Sequence, residues 1–324
     1  MPPNNPFSVL DFEKPVAELE DRILEVRKLA EAEGSDRSSE IQELEAARDR
    51  LLQQIFSSLA PSDKTLLARH QRRPYTLDYV RLMFDDYIDL HGDRLFHDDA
   101  AMVGGLAFLD NDPVLYVGQQ KGRDLKERQY RNFGMAKPEG YRKALRLMRL
   151  AEKYQRPVIC LVDTPAADCS VGAEERGIAE AIARNLLEIF TIETPIVVAI
   201  LGEGGSGGAL GIGVGDRILM LEHSIYSVIP PEGCAAIIWR DPARWPEAAA
   251  ALKITAQDAL KLGVIDEIIA EPLGGAHRNY EQAAKNLKLA IKKSIADLKK
   301  IPIPKLLDQR YHKFRNMGVF TENK

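Results

Sequence analysis

The stretch Pro195-Ile196-Val197-Val198-Ala199-Ile200-Leu201-Gly202-Glu203-Gly204-Gly205-Ser206-Gly207-Gly208-Ala209-Leu210 decides how this chain is read. An unbroken apolar run predicts a buried strand, the glycines after it a turn over residues 202–208, and the apolar residues that follow a packed helix over residues 208–214. Glycine removes the Cβ that would keep a ligand away from backbone N–H groups, and the N-terminus of a helix adds positive partial charge. The turn is therefore expected to hold something negative: a phosphate, a pyrophosphate or a developing oxyanion.

Working outward, two earlier segments also begin at a proline and run apolar, Pro113-Val114-Leu115-Tyr116-Val117 and Pro157-Val158-Ile159-Cys160-Leu161-Val162. The three segments recur at about forty residues, the mark of an internal repeat. Each leads through a loop into a helix, expected over residues 139–154, 173–190 and 208–214. Alternation of this kind predicts an α/β fold with a largely parallel sheet, its active groups gathered at the carboxyl ends of the strands. Three loops should then meet: residues 119–124, 163–172 and 202–208. Downstream, Arg217-Ile218-Leu219-Met220-Leu221 and Ser224-Ile225-Tyr226-Ser227-Val228-Ile229 read as strands, and Pro230-Pro231-Glu232-Gly233-Cys234-Ala235-Ala236 as a turn opening a helix. The chain is helical again from Asp241, with breaks at Pro242 and Pro246, then turns into a short strand near Asp266.

Upstream, apolar residues step by threes and fours through residues 15–59, interrupted by Gly34-Ser35-Asp36 and restarted at a cap in Ser38-Ser39-Glu40. This predicts two antiparallel helices forming an arm for packing or assembly. Another helix should start near Thr76 and run to about residue 90. His91 and His97 beside Asp93, Asp98 and Asp99 match no familiar ligand spacing, so they are read as a solvated loop and no metal is assigned. Lys285, Lys288, Lys292 and Lys293 belong to a helix over residues 280–298 and are read as its solvated face.

At 324 residues, 45% hydrophobic and with a net charge of -4, the chain can bury a large core and shows no general affinity for nucleic acid. Cys160, Cys169 and Cys234 occur singly, which argues against a disulfide framework or a zinc ribbon and favours a reducing cytoplasm. Residues 1–12 carry no basic start ahead of an apolar core, and no apolar run reaches membrane-spanning length. A soluble, unexported protein is expected.

Several chemistries compete for the glycine stretch. A Walker loop would end in G-K-[ST], whereas Gly208-Ala209-Leu210 stands there. Gly202, Gly204 and Gly207, with Glu222 downstream, satisfy the dinucleotide fingerprint, but that fingerprint normally opens its domain and here two strand-loop-helix units precede it. Ser206 lies in G-x-S-x-G, the pattern of a hydrolase nucleophile, with His223, His277 and His312 as the histidines available; none has a context that singles it out. The remaining chemistry is backbone work, in which preorganised N–H groups stabilise charge while substrate or cofactor brings its own base.

Longer motifs bear on that choice. Together with the glycine stretch, Val214-Gly215-Asp216 and Tyr226-Ser227-Val228-Ile229-Pro230-Pro231-Glu232-Gly233-Cys234-Ala235 resemble the carboxyltransferase alpha subunit of bacterial acetyl-CoA carboxylase. So do Arg73-Pro74-Tyr75-Thr76-Leu77-Asp78-Tyr79, Gln120-Lys121-Gly122-Arg123, Asn132-Phe133-Gly134-Met135, Pro138-Glu139-Gly140-Tyr141-Arg142-Lys143-Ala144, Gly172-Ala173-Glu174-Glu175-Arg176-Gly177 and Glu271-Pro272-Leu273-Gly274-Gly275-Ala276-His277. The likeness runs over residues 7–279 and loosens in the last helices.

The resemblance implies a crotonase-like fold of repeated ββα units, with an N-terminal helical hairpin arm over residues 1–72, a carboxyltransferase domain over 73–279 and a C-terminal helical extension over 280–324. It implies transfer of a carboxyl group from carboxybiotin to acetyl-CoA, giving malonyl-CoA, the first committed step of fatty acid synthesis. Biotin would ride on a biotin carboxyl carrier protein, with biotin carboxylase in the wider complex and a zinc-ribbon-bearing beta subunit holding the thioester side; no metal belongs to this chain. By the same resemblance the backbone N–H groups of Gly207 and Gly208 form the oxyanion hole on the biotin side, with Gly204, Gly205, Ala166 and Ala167 beside carboxybiotin. One loop departs from the family's Asp-Thr-Pro-Gly-Ala-Tyr-Pro-Gly: here it reads Asp163-Thr164-Pro165-Ala166-Ala167-Asp168-Cys169-Ser170. The expectation is strain at Ala166 if that position needs a positive φ, and a negative charge from Asp168 near the biotin entrance.

Overall fold

A proline just ahead of a strand has no N–H to lose, and two of the prolines serve this way: the carbonyl of Pro157 accepts from Leu115 and that of Pro195 from Val158. They introduce β4 (Val158–Thr164) and β5 (Ile196–Gly205), while Pro113 lies within β3 (Asp112–Gln119); β3, β4 and β5 are paired in parallel as expected. They come from a computed structural model that describes residues 9–319; the rest of the expected arm, the expected leaderless start and the C-terminal end lie outside the described residues.

Among the described residues the sheet has eight strands in the order β1-β2-β3-β4-β5-β6-β8, with β7 paired to β5. β1 (Tyr87–Asp89), β2 (Met102–Leu109) and β3 are antiparallel, and β6 (Arg217–Leu221), β7 (Ile225–Ser227) and β8 (Glu267–Ile269) continue in parallel. β5 changes neighbours along its length: Val197 to Ile200 pair with β6, and Glu203 to Gly205 pair with β7. Its first half therefore belongs to the main sheet and its second half carries the chain to the site.

The central strands are buried on both faces, which is why they read as apolar runs rather than alternating patterns. On one face Val158, Cys160, Val162, Ile196, Val198 and Ile200 pack against α6 (Pro138–Lys153), α8 (Ile178–Ile189) and α9 (Ser206–Gly213). On the other, Ile159, Leu161, Val197, Ala199 and Leu201 meet α4 (Thr76–Met83) and α13 (Tyr280–Leu298). Each such Val, Leu or Ile contributes roughly 1.5–3 kcal/mol of burial.

The hairpin arm forms as α1 (Lys14–Glu33) and α2 (Ser38–Phe56), with Gly34 in the left-handed conformation closing α1. The helix start is set by Asp36, whose carboxylate accepts from the Ser38 N–H at 3.0 Å, rather than by a serine cap. The arm is bolted down where Glu13 accepts from His277 Nε2 at 2.9 Å and Arg278 reaches Glu20 at 2.7 Å. α3 (Pro61–Ala68) follows, a helix the periodicity did not reveal.

Three further expectations are corrected. The helix from Thr76 ends at Met83, and β1 replaces its last turns because the Asp85 N–H and Asp86 carbonyl are taken into the ladder beside Phe108. The expected helix over 173–190 is two pieces, α7 (Val171–Glu175) and α8, separated by Gly177 at φ 77°. Finally, Pro242 and Pro246 do not break helices; they sit in the first turns of a 3-10 turn at Pro242–Arg244 and of α11 (Trp245–Ala251), where a missing N–H costs nothing.

Helices α5 (Leu125–Tyr130), α10 (Pro231–Trp239), α12 (Ala256–Lys261) and α14 (Ile303–Arg315) complete the described chain. α14 is locked by Arg310, fully buried, which pairs with Asp216 through two 2.8 Å contacts and donates to the carbonyls of Ile189, Ile192 and Thr194. No helix among the described residues is long and apolar enough to cross a membrane.

Candidate active site

The three loops expected to meet do meet, through one amide. Gln119, at the end of β3, accepts from the Asp163 N–H at 3.2 Å and donates to the Gly208 carbonyl at 2.9 Å, joining the ends of β3, β4 and β5. Tyr141 Oη on α6 donates to the same carbonyl at 3.3 Å. The sequence places Gln119 in the loop over residues 119–124 and Tyr141 in the Pro138–Ala144 motif, but nothing in either stretch marks these two side chains as supports of the Gly208 carbonyl.

The glycine stretch is shorter as a turn than it reads. Gly202 to Gly205 are the last residues of β5, and the reversal falls on Gly205 and Ser206, where α9 begins. The glycines serve close approach: a Cβ on Gly205 would lie 2.0 Å from the Pro165 carbonyl oxygen, one on Gly208 2.4 Å from the Ala166 carbonyl carbon, and one on Gly204 2.7 Å from the Tyr226 ring. Ala166 and Ala167 are thus packed backbone to backbone against the start of α9. Gly207 differs, because a Cβ there would meet only Ile182 Cδ1 at 3.7 Å.

The first turn of α9 presents Ser206, Gly207 and Gly208, and the N-cap residue Gly205 has no side chain with which to satisfy their N–H groups. Ser206 holds φ 47°, a left-handed conformation uncommon for a residue with a side chain. That elbow matches the G-x-S-x-G shape, but the histidines are engaged elsewhere: His277 with Glu13, His312 beside Asp308, and His223 buried against Phe56. The dinucleotide reading also loses its basis, for Gly202 and Gly204 lie inside a strand, and Glu222 accepts from the Glu271 N–H.

Below the helix start lies a buried charge network. Lys121 contacts Asp163 at 2.8 Å and Glu203 at 2.7 Å, while Arg69 pairs with Glu203 and Glu232, each at 2.6 Å. Burial alone would lower the Lys121 ammonium, but the Asp163 and Glu203 carboxylates outweigh it and hold the lysine charged. Burial likewise favours a protonated Glu203, and Lys121 and Arg69 overcome that, keeping it ionised. Every one of these groups is paired, two cations with three carboxylates, so they fix the loops rather than act as an unengaged acid or base.

The loop that departs from the family pattern behaves otherwise than expected. Ala166 is not among the residues with positive φ, so no strain arises there. Asp168 is buried and turns inward, accepting from the Ser170 N–H at 2.9 Å and hydroxyl at 3.1 Å while Ser170 caps α7. Its charge is spent on the loop itself. The solvated loop expected at His91 to Asp99 is also more ordered: Asp93 and Asp99 are buried, Asp93 capping the N–H groups of Leu95, Phe96 and His97, and Asp98 meets Lys143. Of the lysines read as solvated, Lys288 and Lys292 both pair with Asp110.

Beside the helix start opens a cavity of about 290 Å³, lined by Ser206, Gly207, Leu210, Tyr226, Val228 and Phe314 among others. Donor N–H groups at the edge of an apolar hollow suit a compact ligand with one developing negative oxygen.

Comparison with known proteins shows the family and the fold. The family described as acetyl co-enzyme A carboxylase carboxyltransferase-like matches residues 9–318. The acetyl-coenzyme A carboxylase carboxyl transferase subunit alpha of Acaryochloris marina is 54% identical over 316 residues, 98% of this chain and 97% of that protein. That of Geobacter metallireducens is 55% identical over 313 residues, 97% of this chain and 98% of its own. Among solved structures, the Pseudomonas malonate decarboxylase hetero-tetramer in complex with coenzyme A aligns at TM-score 0.55 and 18% identity, covering 66% of this chain and 85% of its own. Transcarboxylase 12S, with methylmalonyl-coenzyme A bound, aligns at 0.52 and 20%, over 64% of this chain and 40% of its own. At these identities the structures speak for the fold, which is the crotonase-like fold of carboxyltransferases. The chain belongs to the acetyl-coenzyme A carboxylase carboxyltransferase family, among its alpha subunits.

Proposed function

We propose that this chain supplies the biotin side of a carboxyltransferase site that moves a carboxyl group from carboxybiotin to acetyl-CoA, the thioester side being held by a beta subunit. The observation that carries the reading is the start of α9: N–H groups of Gly207 and Gly208 at the end of a strand, pinned through the Gly208 carbonyl by Gln119 and Tyr141, with the adjoining Ser206 left without a histidine to activate it among the described residues. Such donors stabilise charge that develops on an oxygen and need no rearrangement during the reaction. Biotin on a separate carrier protein supplies the activated carboxyl group and the base. The chain's own contribution is to hold the ureido oxygen, to keep the donor turn rigid through the Lys121–Asp163–Glu203 network, and to exclude water on the apolar side.

In this reading residues 1–72 are an assembly arm, 73–279 the catalytic domain and 280–324 an extension, and the chain works in the cytoplasm, where Cys160, Cys169 and Cys234 remain free thiols. Ala166 and Ala167 wall the biotin side together with Gly204 and Gly205. The test is co-expression with a beta subunit and an assay of malonyl-CoA decarboxylation in the presence of biotin. Turnover is expected from the mixture and from neither chain alone; turnover by this chain by itself would overturn the shared site.

A further inference from the structure

The cavity beside Gly207 is walled on one side by residues far away in the sequence. Phe314, at the end of α14, and Met317 just beyond it face Leu210, Tyr226 and Val264 across the hollow. Phe314 is held in place edge-on by Phe190, with ring centroids 5.3 Å apart, and α14 itself is fastened by the buried Arg310–Asp216 pair. The wall therefore belongs to the last described helix and the residues just beyond it, yet it stands next to the start of α9.

We propose that Phe314 and Met317 are positioning residues for the bicyclic head of biotin, packing its apolar faces so that the ureido oxygen meets the Gly207 N–H. The proposal rests on the carboxyltransferase reading above. Its physical basis is the match between a hollow mostly lined by carbon and a fused-ring group that is polar along one edge only. An aromatic ring and a flexible thioether are suited to such a face, the thioether adapting to its shape. The C-terminal extension then does more than pack: it sets affinity for the carrier's cofactor while leaving the CoA ester to the partner.

The experiment uses the complex of this chain with a beta subunit and compares the wild type with Phe314→Ala, Met317→Ala, the conservative Phe314→Leu, and His312→Ala on the exposed side of the same helix. Steady-state decarboxylation of malonyl-CoA with free biotin gives KM for each substrate, and saturation-transfer NMR with biotin alone gives binding without turnover. Each alanine variant is expected to raise the biotin KM and weaken the biotin NMR signal about fivefold, the worth of part of a buried side chain. KM for malonyl-CoA should stay within about twofold, Phe314→Leu should recover most of the loss, and His312→Ala should change nothing. An unchanged biotin KM, or an equal decline in both substrates, would overturn the positioning role while a working wild-type complex left the carboxyltransferase reading intact. An inactive wild-type complex would overturn both.

Discussion

Ser206 and Gly207 are neighbours, yet a side chain means different things at the two positions. At Ser206 the backbone sits at φ 47°, so glycine there should relieve about 1 kcal/mol of strain. Because the hydroxyl has no assigned part in the chemistry, Ser206→Gly should keep its turnover and melt slightly higher; complete loss of activity with the fold intact would reinstate a nucleophile. Gly208 is the opposite case. Its Cβ would drive into the Ala166–Ala167 peptide, and Gly208→Ala should lower stability by about 1–3 kcal/mol in a chemical denaturation experiment. These contrasts also mark what the sequence could tell. The glycine run was legible as a place of unusual backbone, but a glycine that frees a turn and one that admits a neighbouring chain look the same in print. Only the register of β5 against β7 and the position of the Pro165–Ala167 loop separate them.

Among the elements, those with strong periodicity were legible and those fixed by distant partners were not. β3, β4, β5 and α13 could be placed from apolar runs and stripes, since their faces are buried by the sheet and helices they form. β1 and α3 are short, and their partners lie elsewhere in the chain. The role of Arg73 could not be seen either: it is fully buried, donating to the Leu201 carbonyl at 2.7 Å and pairing with Glu271 at 2.5 Å, which clamps the segment after α3 to the ends of β5 and β8. Burial alone would raise the Glu271 carboxyl, but Arg73, His223 and neighbouring N–H groups hold it at about 2. A carboxyl lowered on folding stabilises above its unfolded value of 4.5, and that contribution disappears as pH falls toward about 2. The slope of unfolding free energy between those pH values should therefore be smaller in Glu271→Gln, as measured by urea titrations at several pH values, and an unchanged slope would refute the linkage. Glu271→Gln should also lose roughly 3–5 kcal/mol near neutral pH, because Arg73 is left buried without its counter-charge.

For the whole molecule, the architecture separates support from chemistry. Two hydrophobic layers clasp the sheet, the arm is bolted to the segment around His277, and α14 is held by Arg310. The proposed site lies where three strand ends meet, and in this reading it contributes donors rather than a proton-transfer group. The resemblance in sequence pointed to this division, and the family relationship agrees with it, but the rigid support of the donors by Gln119, Tyr141 and Lys121 emerged only in three dimensions. Lys121→Met tests that support: it strands Asp163 as a buried charge, leaves Glu203 to Arg69 alone, and should cost about 3–5 kcal/mol, read from denaturant midpoints. A loss below about 1 kcal/mol would mean that the loops hold their places without the lysine.

The central claim is that backbone N–H groups at Gly207 and Gly208 stabilise the oxyanion on biotin. It is tested most directly by Gly207→Val in the complex with a beta subunit, since a Cβ there meets only Ile182 Cδ1 at 3.7 Å and Gly207 itself lines the cavity. Valine keeps the N–H but its branched side chain crowds the approach to it, so decarboxylation of malonyl-CoA with biotin should fall at least about a hundredfold, the scale of putting such a donor out of reach, with thermal midpoint and subunit assembly unchanged. Turnover equal to that of the wild type in a correctly assembled complex would contradict the account.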